Sequence, residues 1–413
     1  MTEIDQLIQE FPPAVRDHLR SAWEKMPAAA RGPLLKALRE LPGDLGHWRE
    51  LIRLALSHVL LVTGHKRRVA IVGPANVGKS TLYNQLVRSA TDHAEVSAVP
   101  GTTRVSQSAD AGLFAVVDTP GADAVGAVGD AEKELAFAAA READFLVIVF
   151  DAIQGIKRSE QELFRELQAL GHPHVVVLNK VDLVSGTQER DRVVEAAARN
   201  LGLAPEEVVP CVARDGKRVD RVLLAVAKAD PEIVAALGAA LPDYRMMLAW
   251  SATKKAAATA AAIALTPLPI LDVFPLLLVQ ASLVLGIARI YGLRITFGRA
   301  RELVVTFGLG FLGRTLFQEL SKLGGPPGWL LSAAVASSTT AVMGRAAAVW
   351  FERGERAKPS DLRAESRALA KRMLQSLKSL GRRRPPREAV QREVEAALPD
   401  APPNQASREG AEP

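Results

Sequence analysis

Residues 68–81, "RVAIVGPANVGKST", restrict the possible folds more than any other stretch of this chain. A short apolar run enters a loop with the spacing G-x-x-x-x-G-K-S, Gly73 through Ser80, and a helical pattern follows. A strand, a glycine-bracketed turn and a helix in that order are the context a phosphate loop requires. The glycines let backbone N–H groups turn inward, and the helix offers its positive N-terminal end. Lys79 brings a point charge to the β- and γ-phosphates, and the Ser80 hydroxyl suits Mg²⁺. Gly73, Asn76, Val77, Gly78, Lys79, Ser80 and Thr81 are therefore the expected phosphate-binding residues. A glycine-rich turn without function fits this spacing and context poorly.

Short apolar runs alternate with helical pattern from Arg68 to about residue 230. "LFAVVDTPG", "DFLVIVFD", "HVVVLNK" and "EEVVPCVA" are the runs after the first, and "SEQELFRELQAL" is helical in period. This alternation predicts βαβ units and a mostly parallel sheet. Three further motifs then bear on chemistry. "VVDTPG" ends a strand with Asp118, a carboxylate able to hold Mg²⁺ through water, and places the Gly121 N–H where it can meet a γ-phosphate. "LNKVD" ends another strand with Asn179, Lys180 and Asp182. A carboxylate such as Asp182 accepts both the N1–H and the 2-amino donors of guanine, a pair that adenine lacks, so GTP is expected over ATP. "PGTTR" supplies Thr102 and Thr103 where a mobile segment could reach Mg²⁺ and the γ-phosphate. Each tetrapeptide alone is more often a turn or a strand end. Their order, each at a strand end of one α/β domain, makes the bland readings jointly improbable.

With these motifs the chain resembles GTPases of the TrmE–Era–EngA group over roughly residues 67–229. The resemblance implies that Ser80, Thr103 and Asp118 surround Mg²⁺, with Thr102 the alternative to Thr103, and that Asn179, Lys180 and Asp182 bind guanine. Lys79, Thr103, Gly121 and Asn76 are then the residues expected to act in the reaction. The family's fifth motif is Ser-Ala-Lys, whereas "CVAR" places Val212, Ala213 and Arg214 there. Ala213 still offers a backbone N–H to the guanine carbonyl. Ala122 follows "DTPG" where Ras-like enzymes carry a glutamine that orients water, so slow intrinsic hydrolysis is expected. In the family, the asparagine matching Asn76 is associated with K⁺. A turn-forming loop residue is the equally weighted alternative for Asn76.

The last third has a different composition. Over the whole chain 48% of residues are hydrophobic and 24% charged, so the apolar excess must be concentrated somewhere. Residues 256–288 carry one charge, Asp272, over a length that could cross a bilayer. Pro267, Pro269 and Pro275 interrupt it, and Lys254, Lys255, Arg289, Arg294, Arg299 and Arg301 flank it. Positive flanks on both sides favour a re-entrant or tight helical hairpin over one crossing. "LVVTFGLGFLG" from Leu303 and "PPGWLLSAAVASSTTAVMG", residues 326–344, read as a second pair. A buried, all-α bundle is the competing reading. "ALTPLPILDVFPLLLVQASLVLGIARIYG" and the glycine-rich segment after it resemble the YcjF-type hydrophobic domain that follows some bacterial Era-like GTPases. That resemblance covers about residues 250–350 and implies association with the inner membrane.

The expected organisation is a helical extension over 1–66, a P-loop GTPase domain over 67–230, a hydrophobic helical domain over 231–352, and a basic helix with a disordered tail over 353–413. A net charge of +6 suits an anionic membrane or nucleic acid equally. The single Cys211 excludes a disulfide framework and fits a reducing compartment. The polar, acidic start "MTEIDQLIQE" predicts a chain that starts in the cytoplasm. The leading expectation is a GTP-hydrolysing switch on the cytoplasmic face of a bacterial inner membrane, with a guanine nucleotide, membrane lipid and an unidentified protein effector as partners. A soluble ribosome-assembly or RNA-binding GTPase is the alternative. RNA is the weaker partner because neither a KH-type "GxxG" loop nor a basic sheet studded with aromatics follows the GTPase domain.

Overall fold

The computed structural model describes residues 68–87, 107–108, 113–118, 134, 137–265, 273–293, 327–354, 358–381 and 383–399. The described chain divides into two compact units, with the boundary between Leu248 and Ala249.

The first unit is built on a sheet with β1 (Val69–Gly73) near its centre. The strand order is β2 (Gln107–Ser108), β3 (Phe114–Asp118), β1, β4 (Phe145–Asp151), β5 (His174–Asn179) and β6 (Val208–Pro210). Every pairing is parallel except that of β2 with β3. All residues of β1 and β4 are buried, as a central parallel strand covered on both faces requires. Helices α1 (Lys79–Leu86), α2 (Arg158–Gln168), α3 (Thr187–Leu201) and α4 (Val219–Ala229) follow the strands in α/β fashion. Phe164 and Leu167 of α2 and Ala197 and Ala198 of α3 join Ala70, Val72, Leu146, Ile148, Phe150, Val176 and Leu178 in one core. The start of α2 is set locally, because the Glu160 carboxylate accepts the Lys157 N–H at 2.9 Å. A short helix, α5 (Val234–Ala240), and the first turn of α6 (Arg245–Ile263) end this unit.

In-register pairing brings the strand ends together. Gly73 lies opposite Asp118, and Asp151 lies opposite Asn179. The C-terminal edge of the sheet therefore gathers the ends of four neighbouring strands, where α/β folds place their ligands.

The second unit is helical in its described residues: the remainder of α6, then α7 (Val273–Ile290), α8 (Gly328–Arg353), α9 (Pro359–Leu377) and α10 (Arg387–Ala397). Helix α6 ends at Ile263 and α7 spans Val273–Ile290, while Pro267 and Pro269, where the sequence predicts a turn, lie outside the described residues. Pro275 occupies the first turn of α7, where a missing N–H costs no intrahelical bond. Small residues allow α8 to be buried almost continuously from Trp329 to Ala348. At Gly344 a Cβ would lie 2.3 Å from Thr253 Oγ1 of α6, so the close approach of these helices depends on glycine. Gln280 of α7 donates to Thr340 Oγ1 of α8 at 3.2 Å. Arg345 of α8 grips Glu365 of α9 through two hydrogen bonds, one of 2.6 Å from Nε.

The basic segment that the sequence reading separates at 353 continues the same bundle. Met373, Leu374 and Leu377 of α9 and Val390 and Val394 of α10 share a core with Ala257, Ala261, Leu330 and Ala334. Arg363, Arg367, Lys371 and Arg372 lie on the exposed face of α9. Among the described residues, no helix is long and apolar enough to cross a membrane. The extension over 1–66, the segment from Leu303 through Arg314, and Asp272 lie outside the described residues.

Candidate nucleotide-binding site

The loop Pro74–Gly78 joins β1 to α1 with a backbone that few sequences tolerate. Asn76 and Gly78 are left-handed, with φ of 63° and 96°. Gly73 is required by contact, because a Cβ there would sit 2.2 Å from Val149 O on the neighbouring strand β4. A Cβ on Gly78 would lie 2.3 Å from Asn179 Nδ2. The two bracketing glycines of the motif thus let the loop pass close to β4 and to the end of β5.

Lys79 is buried, and its Nζ donates to Gly73 O at 2.8 Å and to Pro74 O. Its ammonium is therefore fixed within the loop. Ser80 and Thr81, both half-buried, follow in the first turn of α1. Across the sheet edge, the backbone of Asp118 ends β3 opposite Gly73.

Asn179 and Lys180 brace the same loop from the other side. Asn179 Nδ2 donates to Val77 O at 2.8 Å, while its Oδ1 accepts the Ala213 N–H at 2.9 Å. One buried amide therefore ties the phosphate loop to the fifth-motif segment. Lys180, left-handed at φ 65°, donates from Nζ to Asn76 O at 2.6 Å and to Asp151 Oδ2 at 2.7 Å. Successive carbonyls of the loop are thus held by successive side chains of the "NKVD" motif. Asp182 is exposed in the turn Val181–Leu183 that follows.

The fifth-motif segment is closed by a bridge between Val212 and Lys217, and Gln85 of α1 donates to Arg214 O at 3.1 Å. Burial pushes the neighbouring Cys211 thiol up to about 12, so it stays protonated at neutral pH.

The structure therefore brings together Gly73, Asn76, Val77, Gly78, Lys79, Asn179, Lys180 and Ala213. Thr102, Thr103, Gly121 and Ala122 lie outside the described residues. Two features go beyond the sequence reading. The Ala213 N–H, expected to face a guanine carbonyl, donates to Asn179 Oδ1. Asp151 belongs to none of the sequence motifs, although "FLVIVFD" ends its strand in an aspartate just as "AVVD" ends the strand of Asp118.

A parallel sheet with a phosphate loop after its central strand, braced by an Asn-Lys pair from the next strand but one, defines a P-loop GTPase fold. Residues 68–180 match the family model described as 50S ribosome-binding GTPase, and residues 249–379 match a domain of unknown function, DUF697. GTPase Der of Psychrobacter arcticus is 38% identical over 163 residues, which cover 38% of this chain and 32% of the relative. GTPase Era of Afipia carboxidovorans is 33% identical over 173 residues, covering 40% of this chain and 53% of the relative. A crystal structure of Aquifex aeolicus Era bound to GDP and AlF4⁻ aligns at 25% identity and a TM-score of 0.34, over 50% of this chain and 69% of that one. The chain spans from about a third to about half the length of these curated relatives. Residues 68–180 thus form a GTPase domain with Era- and Der-like relatives, and a C-terminal domain of the YcjF type follows it.

Proposed function

We propose that this chain binds GTP with Mg²⁺, hydrolyses it to GDP and phosphate, and passes the change of nucleotide to its helical unit as a conformational switch. The observation that carries the reading is the double brace on the phosphate loop, Asn179 on Val77 O and Lys180 on Asn76 O. A base-recognition motif that holds the phosphate loop aligns both ends of one nucleotide. Lys79 supplies positive charge within the loop and helix α1 its N-terminal end. Ser80 and Asp118, with Thr103 or Thr102, form the hard oxygen donor set that Mg²⁺ prefers, and the ion would neutralise phosphate charge. Gly121 would offer its N–H to the γ-phosphate. Ala122 cannot orient water, so hydrolysis is expected to be slow without a further group. Asn76 is the candidate for aiding the reaction with K⁺, a role that equal turnover in potassium and sodium salts would remove.

Asp182 provides the test of base identity. Exchanging Asp182 for Asn should shift preference from guanine toward xanthine nucleotide in a competition titration; undiminished preference for GTP would overturn the assignment.

We further place the switch on the cytoplasmic face of a bacterial inner membrane. Support comes from the apolar run over 256–288 with its cationic flanks and from the basic outer face of α9, features that suit a re-entrant or surface attachment to anionic lipid. The competing reading, a ribosome- or RNA-directed GTPase, draws on the description of the matched family. Flotation with anionic vesicles tests the first. Protein that stays with ribosomes and never floats would favour the second.

A further inference from the structure

We propose that Asp151 is a positioning residue of the nucleotide site, holding Lys180, and through it the phosphate loop, in the geometry that receives the nucleotide. The inference rests on the GTP reading above and assigns a role to a residue outside the G-x-x-x-x-G-K-S, "DTPG" and "NKVD" motifs.

The Asp151 side chain is only 4% exposed, and a carboxylate at that depth must be paired. Its two oxygens have different partners. Oδ1 accepts the Ile153 N–H at 2.8 Å and closes a local turn after β4. Oδ2 accepts from Lys180 Nζ at 2.7 Å. The first contact concerns the strand end alone, whereas the second continues to Asn76 O, 2.6 Å from the same Nζ. Asp151, Lys180 and Asn76 thus form a chain from the end of β4, across the end of β5, to the backbone of the phosphate loop.

The charges in this chain decide what Lys180 can do. Asp151 balances the Lys180 ammonium, which makes Lys180 a strut for the loop and leaves the compensation of phosphate charge to Lys79 and the metal ion. Losing Asp151 should therefore weaken GDP and GTP binding by the same factor and leave turnover at saturating GTP nearly unchanged. A purely local role in the turn at Ile153 predicts no such pattern.

The experiment measures Kd for fluorescent GDP and for a non-hydrolysable GTP analogue, with KM and kcat, on the full chain. Asp151→Asn keeps an oxygen for the Ile153 N–H and removes the charge. It should raise both Kd values by the same factor, roughly 10- to 100-fold, with kcat moving by less than about 3-fold. Lys180→Met should raise both Kd values at least as far, and the double variant should bind no more weakly than Lys180→Met alone. Affinity of Asp151→Asn within about 2-fold of the parent, or losses that multiply in the double variant, would overturn the proposal. If Asp151→Asn does not fold, the double variant removes both charges together, and its comparison with Lys180→Met decides the matter. Asp182→Asn reports on base recognition separately. A parent chain that binds no guanine nucleotide overturns the functional reading and this inference together; normal parent binding with unaltered Asp151→Asn overturns this inference alone.

Discussion

Buried polar groups serve opposite ends in the two units. In the sheet unit Lys79, Asp151 and Asn179 are buried at one edge of the sheet, and their bonds run between elements, to carbonyls of the phosphate loop, to Lys180 and to the Ala213 N–H. In the helical unit Thr253, Ser337 and Thr339 are as deeply buried, but each hydroxyl bonds a carbonyl four residues earlier in its own helix, at 2.7, 2.7 and 2.8 Å. Hydroxyls satisfied in this way act as small residues and let helices approach. Polarity that converges from several elements on one loop marks a site, whereas these hydroxyls, returned to their own helices, mark packing; the buried Gln280–Thr340 bond joins two helices without such convergence.

The sharpest way to break this contrast is to remove one member of each set. Lys79→Ala deletes the charge in the loop and should weaken GDP and GTP binding by more than about 100-fold, read by fluorescent nucleotide titration. Binding retained within about tenfold would mean that the convergence at the sheet edge does not mark the site. A smaller effect is expected in the helical unit. Gly344→Ala drives a methyl into Thr253 and should destabilise that unit by about 1–3 kcal/mol in denaturant unfolding, with nucleotide affinity unchanged. Adding Thr253→Ala should recover much of the loss; if it recovers nothing, the glycine is not there for close packing.

An effect confined to alkaline pH concerns the thiol beside the site. Folding holds Cys211 protonated from its usual 9.0 up to about 12. Unfolded chains therefore lose this proton first, and the contribution to stability is intact below pH 9 and falls as pH rises toward 12. Unfolding midpoints of Cys211→Ala should decline less over that range than those of the parent. Parallel decline in both would show that the thiol is not sealed in the core.

Much of the site was legible because phosphate loops and base motifs depend on residues close together in sequence. The spacing from Gly73 to Ser80 identifies the loop, and the pair Asn179–Lys180 the base motif, without knowledge of the fold; that the pair braces the loop is visible only in the hydrogen bonds. Asp151 was not legible, since one aspartate ending an apolar run has many possible uses. Only the parallel pairing of β4 with β5 sets it opposite Asn179 and within reach of Lys180. The apolar third shows the same division. A run of small apolar residues marked α8 as a helix, but composition could not say that α9 and α10 share a core with α6 and α8. Their apolar faces are sparse, and the basic residues between those faces dominate the sequence.

The sequence by itself determined the class of domain, the phosphate loop and the nucleotide expected there, because spacing and backbone freedom at glycine are local properties. Tertiary structure alone decided which carbonyls Asn179 and Lys180 hold, which residue balances Lys180, and why Gly344 must lack a side chain. Each of those depends on the distance between elements far apart in the chain, and that distance exists only once sheet and helices have packed.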